Sequence, residues 1–189
     1  MTDLLAGLPG AVADDDGILL HLGNPFAEQR ALVNGTAVAL LRDRAVLAVT
    51  GVDRLSWLDS VTSQALAHLA PGVSTELLVL DDGETTWLIV DRADAEPLLG
   101  WLTRMRFRLR VDLRAADDLV VFGAADAALD GLPAAAPAGV PLVWHDPWPE
   151  VSAGGAAYAA DEDHPGRDRD WNEVLVTADD ARRIYSQVL

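Results

Sequence analysis

AVLAVTGVDRLSWLDSVTSQALAHL, residues 45–69, is the stretch whose reading decides the fold. Its first five residues, Ala45-Val46-Leu47-Ala48-Val49, are apolar without alternation, as expected of a strand covered on both faces. Gly51 permits a tight exit from that strand. Asp53 then stands where a helix N-cap belongs, its carboxylate placed to accept from the first open N–H groups. Leu55, Leu58, Val61, Ala65 and Leu69 recur at helical spacing and predict one apolar face, and Pro71-Gly72 ends the helix.

Outward from this β-α unit the pattern continues. A strand is expected over 75–80, a turn at Asp81-Asp82-Gly83, and a return strand over 86–90. A helix follows over 95–104, capped by Asp94, with Leu98, Leu99 and Leu102 inward. Residues 106–113 alternate strictly, which predicts a strand with Phe107, Leu109, Val111 and Leu113 on one side and Arg106, Arg108 and Arg110 on the other. The order from 45 to 113 is therefore β-α-β-β-α-β, the ferredoxin-like pattern of an α+β domain, with both helices on one side of the sheet.

Upstream, short strands are expected over 18–20 and 38–41, with a brief helix over 26–33. Downstream, strands are expected over 119–122, 140–144, 156–159 and 173–176, with a weak helix over 124–129 and a final helix over 179–189 capped by Thr177. The Pro- and Ala-rich link 132–141 and the loop Asp146-Pro147-Trp148-Pro149 interrupt them. Residues 1–36 thus form an N-terminal arm, 37–115 a first ferredoxin-like module, and 116–189 a second, incomplete α/β module. A final helix with an apolar stripe ordinarily feeds another strand, so the second module reads as interrupted at Leu189.

Composition bounds the function. The chain has 189 residues, half of them hydrophobic, enough for a substantial core. It has no cysteine, which excludes thiolate metal ligation, disulfides and a cysteine nucleophile within these residues. The net charge of -16 disfavours nucleic acid and anionic membranes as partners. No apolar run approaches the roughly 20 residues of a membrane span, and no basic segment with an apolar core opens the chain, so a cytoplasmic location is expected. The histidines, His21, His68, His145 and His164, show no metal-binding spacing, and no phosphate loop, dinucleotide fingerprint or nucleophile elbow occurs. No catalytic residue and no metal ligand is expected. All 14 residues of the lysine-plus-arginine count are arginines, and Arg104, Arg106, Arg108 and Arg110 are their densest run. On a strand, Arg106, Arg108 and Arg110 make candidate contacts for a polyanion. The plainer alternative is a solvated face paired with Asp112, Asp117 and Asp118. Six tryptophans allow one or two to stack on a flat heterocycle while the others pack.

Five pieces resemble the folate-binding YgfZ family, a relative of the glycine-cleavage T protein. They are HLGNPFAEQRAL (21–32), AVLAVTGVDRLSWLDSVTSQALAHLAPG (45–72), TTWLIV (85–90), LLGWLTRMRFRLRVDL (98–113) and WHDPWP (144–149). The resemblance implies three modules in a cloverleaf around a channel that binds tetrahydrofolate. It implies folate-dependent support of iron–sulfur enzymes, including tRNA-modifying ones, with folate and iron–sulfur proteins as partners. The T-protein relatives instead transfer a one-carbon unit from an aminomethyl-lipoyl carrier to folate, and a folded fragment without ligand is the third alternative. By correspondence, Asp91 is a hydrogen-bonding contact to the pterin and Ile89 a wall, with Trp87 on the same strand. Asp91 reads at least as well as a strand-end acid capping the helix begun at Asp94. The sequence departs from the family in two places. The K-G-C-Y-x-G-Q-E motif is absent, and a further hairpin expected between Leu80 and Asp81 is missing.

Overall fold

The computed structural model describes residues 9–15, 19–62, 78–147, 164, 166 and 170–188, with side chains as far as Ile184. The decisive stretch forms strand β4 (Arg44–Thr50) and helix α2 (Arg54–Val61). The continuation of that helix to Leu69, its stop at Pro71-Gly72, and the expected strand residues 75–77 lie outside the described residues. Strands β5 (Val79–Asp81) and β6 (Thr85–Asp91), helix α3 (Arg92–Met105) and strand β7 (Asp112–Ala115) complete the β-α-β-β-α-β order. The sheet runs β5-β6-β4-β7 with every neighbouring pair antiparallel, the ferredoxin-like arrangement.

Why β4 lacks alternation is plain from what covers it. Leu47 and Val49 face Trp57 and Leu58 of α2 and Leu102 of α3 in one core. Val46 and Ala48 face the other way, into a core shared with a second sheet. Both helices therefore lie on the same side of this sheet, and both faces of β4 are dry from Val46 to Val49.

The second sheet is built from β3 (Val38–Leu40), β8 (Leu119–Ala124), β9 (Val143–His145) and β10 (Asn172–Thr177), in the order β3-β8-β10-β9. Its outer face is covered by helix α4 (Ala178–Val188), through Ala181 and Ile184, and by a 3-10 turn over Asp126–Gly131. Four layers result: helices, sheet, sheet, helix. Thr177 caps α4 as expected, its Oγ1 accepting from the Asp180 N–H at 3.1 Å while its hydroxyl donates to the Asp180 carboxylate.

The N-terminal residues add a two-stranded ribbon, β1 (Val12–Ala13) with β2 (Leu19–His21), and helix α1 (Pro25–Val33). α1 buries no residue. Its start is held by polar contacts: Asn24 Oδ1 accepts from Ala27 N, and the Glu28 carboxylate accepts from Leu22 N and Asn24 N.

Several expectations are corrected. The strand 38–41, assigned to the module 37–115, joins the second sheet through β8, because both edges of β4 are already taken by β6 and β7. Residues 106–110 are a turn and bend, and the strand begins only at Asp112. Phe107 takes a positive φ of 48°, which no strand permits. Asp94 is not the cap of α3; the helix starts at Arg92, after Asp91. Asp53 does stand at the N-cap of α2, but its carboxylate makes no capping bond. It accepts from Arg110, at Nε, Nη2 and the backbone N. The weak helix at 124–129 is a 3-10 turn, and the strand 140–144 shortens to β9. The expected strand 156–159 lies outside the described residues.

Candidate functional site

Two polar groups, each built on a buried acid, stand out, and their hydrogen bonding differs. The first is the β5–β6 hairpin. Asp81 is 2% exposed and accepts from Arg54 Nε at 2.9 Å and Nη2 at 2.8 Å, from the Thr86 hydroxyl at 2.5 Å and from Gly83 N at 2.9 Å. Asp82 accepts from Glu84 N, Thr85 N and the Trp87 indole N–H. Every carboxylate oxygen of Asp81 and Asp82 has a partner. A hydrogen-bonded carboxylate of this kind is a structural clasp.

The second group lies between the two sheets, where β4 begins and β6 ends. Arg44 and Asp91 are register partners, and Arg44 Nη1 donates to Asp91 Oδ1. Arg44 Nη2 also approaches Glu173 Oε1, at 3.6 Å, from the second sheet. The three side chains grade inward: Asp91 is 60% exposed, Arg44 26% and Glu173 4%. Arg92 steadies the backbone here, its guanidinium donating to the carbonyls of Arg42 and Arg44 at 2.7 Å each.

This second group is incompletely satisfied. Glu173 Oε2 and Arg44 Nε are both buried and without a hydrogen-bond partner among the described residues. A buried polar atom left unpaired costs roughly 1–3 kcal/mol, more when charged. Burial pushes the Glu173 carboxyl above its ordinary range; Arg44 pulls it back down, while Asp43 and Asp91 push it further up. Opposite Glu173 in the register is Gly123. The indole of Trp171 lies over that glycine, so closely that a Cβ there would sit 2.3 Å from Trp171 Cζ2. An acceptor, a donor and an aromatic plane are thereby gathered at one end of the interlayer space. That combination suits a flat heterocycle carrying adjacent N–H donors and a carbonyl.

The residues expected from the sequence distribute unevenly around it. Asp91 belongs to the group. Ile89 and Trp87 share its strand face but are packed into the interlayer core, 2% and 4% exposed. The Trp87 indole N–H is spent on Asp82, and the Arg114 guanidinium stands 6.0 Å from its ring centroid. Trp57 is buried with its indole donating to the Met105 carbonyl, Trp144 is buried, Trp101 is on the surface, and Trp148 lies outside the described residues. Arg106 donates to Asp112 and to the Val111 carbonyl, and Arg110 is paired with Asp53. The Arg106–Arg108–Arg110 stripe does not form. Among the described residues, no group of three or more His, Cys, Asp or Glu could hold a metal, and no helix is long and apolar enough to cross a membrane.

Glu173 and Arg44 escaped sequence reading, and Trp171 was not singled out among the six tryptophans. Glu173 stands between polar Asn172 and the run Val174-Leu175-Val176, and a single acid at a strand start carries no signal of burial. Only the pairing of β10 at the centre of the second sheet shows that its side chain is enclosed.

No family model matches the sequence, and no curated protein sequence matches it. The structure is similar to the crystal structure of glycine cleavage system aminomethyltransferase T from Bartonella henselae, with a TM-score of 0.60 at 16% identity. The likeness covers 96% of this chain and 54% of the aminomethyltransferase, so the chain spans about half the length of that protein. At this identity the comparison establishes the fold: antiparallel α+β modules of the aminomethyltransferase T type.

Proposed function

We propose that the chain is a folate-binding module whose ligand enters at the Glu173–Arg44–Asp91 end of the interlayer space. The observation that carries the reading is the buried, unpartnered oxygen of Glu173 next to the unpartnered Nε of Arg44. A pterin presents an amino group and a ring N–H side by side, with a carbonyl adjoining. Such an array supplies the donors that Glu173 lacks and the acceptor that Arg44 lacks. Trp171 offers the ring a stacking plane, and Asp91 the outermost polar contact. Tetrahydrofolate, once bound, would supply a one-carbon carrier; these side chains bind and orient it. Trp87 and Ile89 back the site from within the core.

The fold of aminomethyltransferase T and the pieces that resemble the YgfZ family support this reading. From that resemblance we further propose a cytoplasmic role in maintaining iron–sulfur enzymes, tRNA-modifying ones included, rather than turnover by the module itself. The aminomethyltransferase likeness favours a second reading, one-carbon transfer to tetrahydrofolate from an aminomethyl-lipoyl donor.

Anaerobic titration with tetrahydrofolate, followed by tryptophan fluorescence, tests the site. Binding by the wild-type chain is expected, with Glu173→Gln weakening it by about tenfold or more, the loss of one charge-assisted contact. No saturable quenching in the wild-type chain would end the folate reading. Turnover with an aminomethyl-lipoyl donor would decide for the second one.

A further inference from the structure

The loop between α3 and β7 has no part in the site above, yet it is built as a presented surface. Its base is fastened twice. Arg106 reaches forward to the Val111 carbonyl and Asp112, at 3.2 and 3.0 Å. Arg110 is gripped by the Asp53 carboxylate, which accepts from its Nε at 2.9 Å, its Nη2 at 2.7 Å and its backbone N at 2.9 Å. Gly51 allows the close approach, since a Cβ there would lie 2.0 Å from the Arg110 carbonyl oxygen. Between these anchors the tip projects. Phe107 is 78% exposed and Leu109 45%, and neighbouring Val52 is 72% exposed. They border an open depression of about 700 Å³. Phe107 is held at a φ of 48°, a conformation that costs a bulky residue energy.

An exposed aromatic held in a strained conformation by a fastened base is a binding element whose ordering cost is already met in the free chain. Charge selects the partner. Arg108, at the tip, has no carboxylate partner among the described residues, and neither has Arg104 at the end of α3, in a chain of net charge -16. The geometry points to this loop as a docking surface for an acidic segment of another protein, with aliphatic or aromatic side chains entering beside Phe107 and Leu109. A membrane is disfavoured: an anionic bilayer extends well past the Debye length of about 8 Å and meets the negative remainder of the chain. A narrow segment meets only the loop.

Panning a random-peptide phage library on the full chain is the test. Expected are peptides in which Asp or Glu alternate with Leu, Ile or Phe. Their affinity should fall by about tenfold or more in Arg108→Glu and in Phe107→Ser, and weaken with added salt. Both side chains are exposed, so the melting temperature should not move. If Phe107→Ser does unfold, Arg108→Glu decides alone. Enrichment of no peptides, or of peptides without acids, overturns the proposal. So does equal binding to Arg108→Glu, or loop-dependent capture by phosphatidylcholine–phosphatidylserine vesicles without peptide binding.

Discussion

Asp81 and Glu173 are both buried acids facing an arginine from a neighbouring element, and they behave as opposites. Asp81 receives two bonds from Arg54, one from Thr86 and one from a backbone N–H. Glu173 receives only a distant guanidinium at 3.6 Å and keeps one oxygen unpaired. Burial is common to both, so burial does not distinguish scaffold from site; the completeness of hydrogen bonding does. In the hairpin the fold consumes all the polar capacity it encloses. Between the sheets it leaves an acceptor and a donor over, which a ligand can use.

The contrast is broken most forcefully at the hairpin. Asp81→Ala leaves the Arg54 guanidinium, 12% exposed, without its carboxylate and strips Thr86 and Gly83 of an acceptor. Removing one member of a buried pair costs about 3–5 kcal/mol, which urea unfolding would read directly. A loss below about 1 kcal/mol, the level of an exposed pair, would mean that the clasp does not hold the turn.

A smaller effect probes the other side. Gly123→Ala forces the Trp171 ring off the strand, because the new Cβ would overlap it. Overpacking of this sort costs about 1–3 kcal/mol. Since Trp171 is the proposed stacking plane beside Glu173, folate quenching should weaken together with stability. Lost stability with unaltered quenching would remove Trp171 from the site while leaving Glu173 in it.

How far the sequence reveals these regions depends on the range of the contacts. The hairpin was legible, since Asp81, Asp82, Gly83 and Trp87 lie within a few residues of one another. The β-α-β-β-α-β order was legible for the same reason: apolar runs and turn residues mark each element locally. The interlayer site joins residues 44, 91, 123, 171 and 173, brought together by two sheets packing face to face, and no local periodicity encodes that. Of this group only Asp91 was expected, by resemblance to the folate-binding family. The arginine run misled because alternation is a necessary property of a half-buried strand and not a sufficient one. Asp53, 57 residues from Arg110 along the chain, competes for that arginine and bends the segment away from strand geometry.

The smallest effect sharpens the comparison through pH. Glu173 has its folded pKa raised, chiefly by burial. Between the ordinary glutamate value of about 4.3 and that raised value, the folded chain retains a proton that the unfolded chain releases. Stability contributed by this carboxyl is therefore full below the ordinary value and declines as pH rises through the raised one. Glu173→Gln cannot ionise and should remove that decline, so the stability difference between wild type and variant should change with pH across this window and level off above it. Thermal melts of the two proteins across the acid-to-neutral range measure it. Parallel curves would mean that Arg44 compensates the burial of Glu173 in full, and the site would then be as self-sufficient as the Asp81 clasp, with nothing left for a ligand to satisfy.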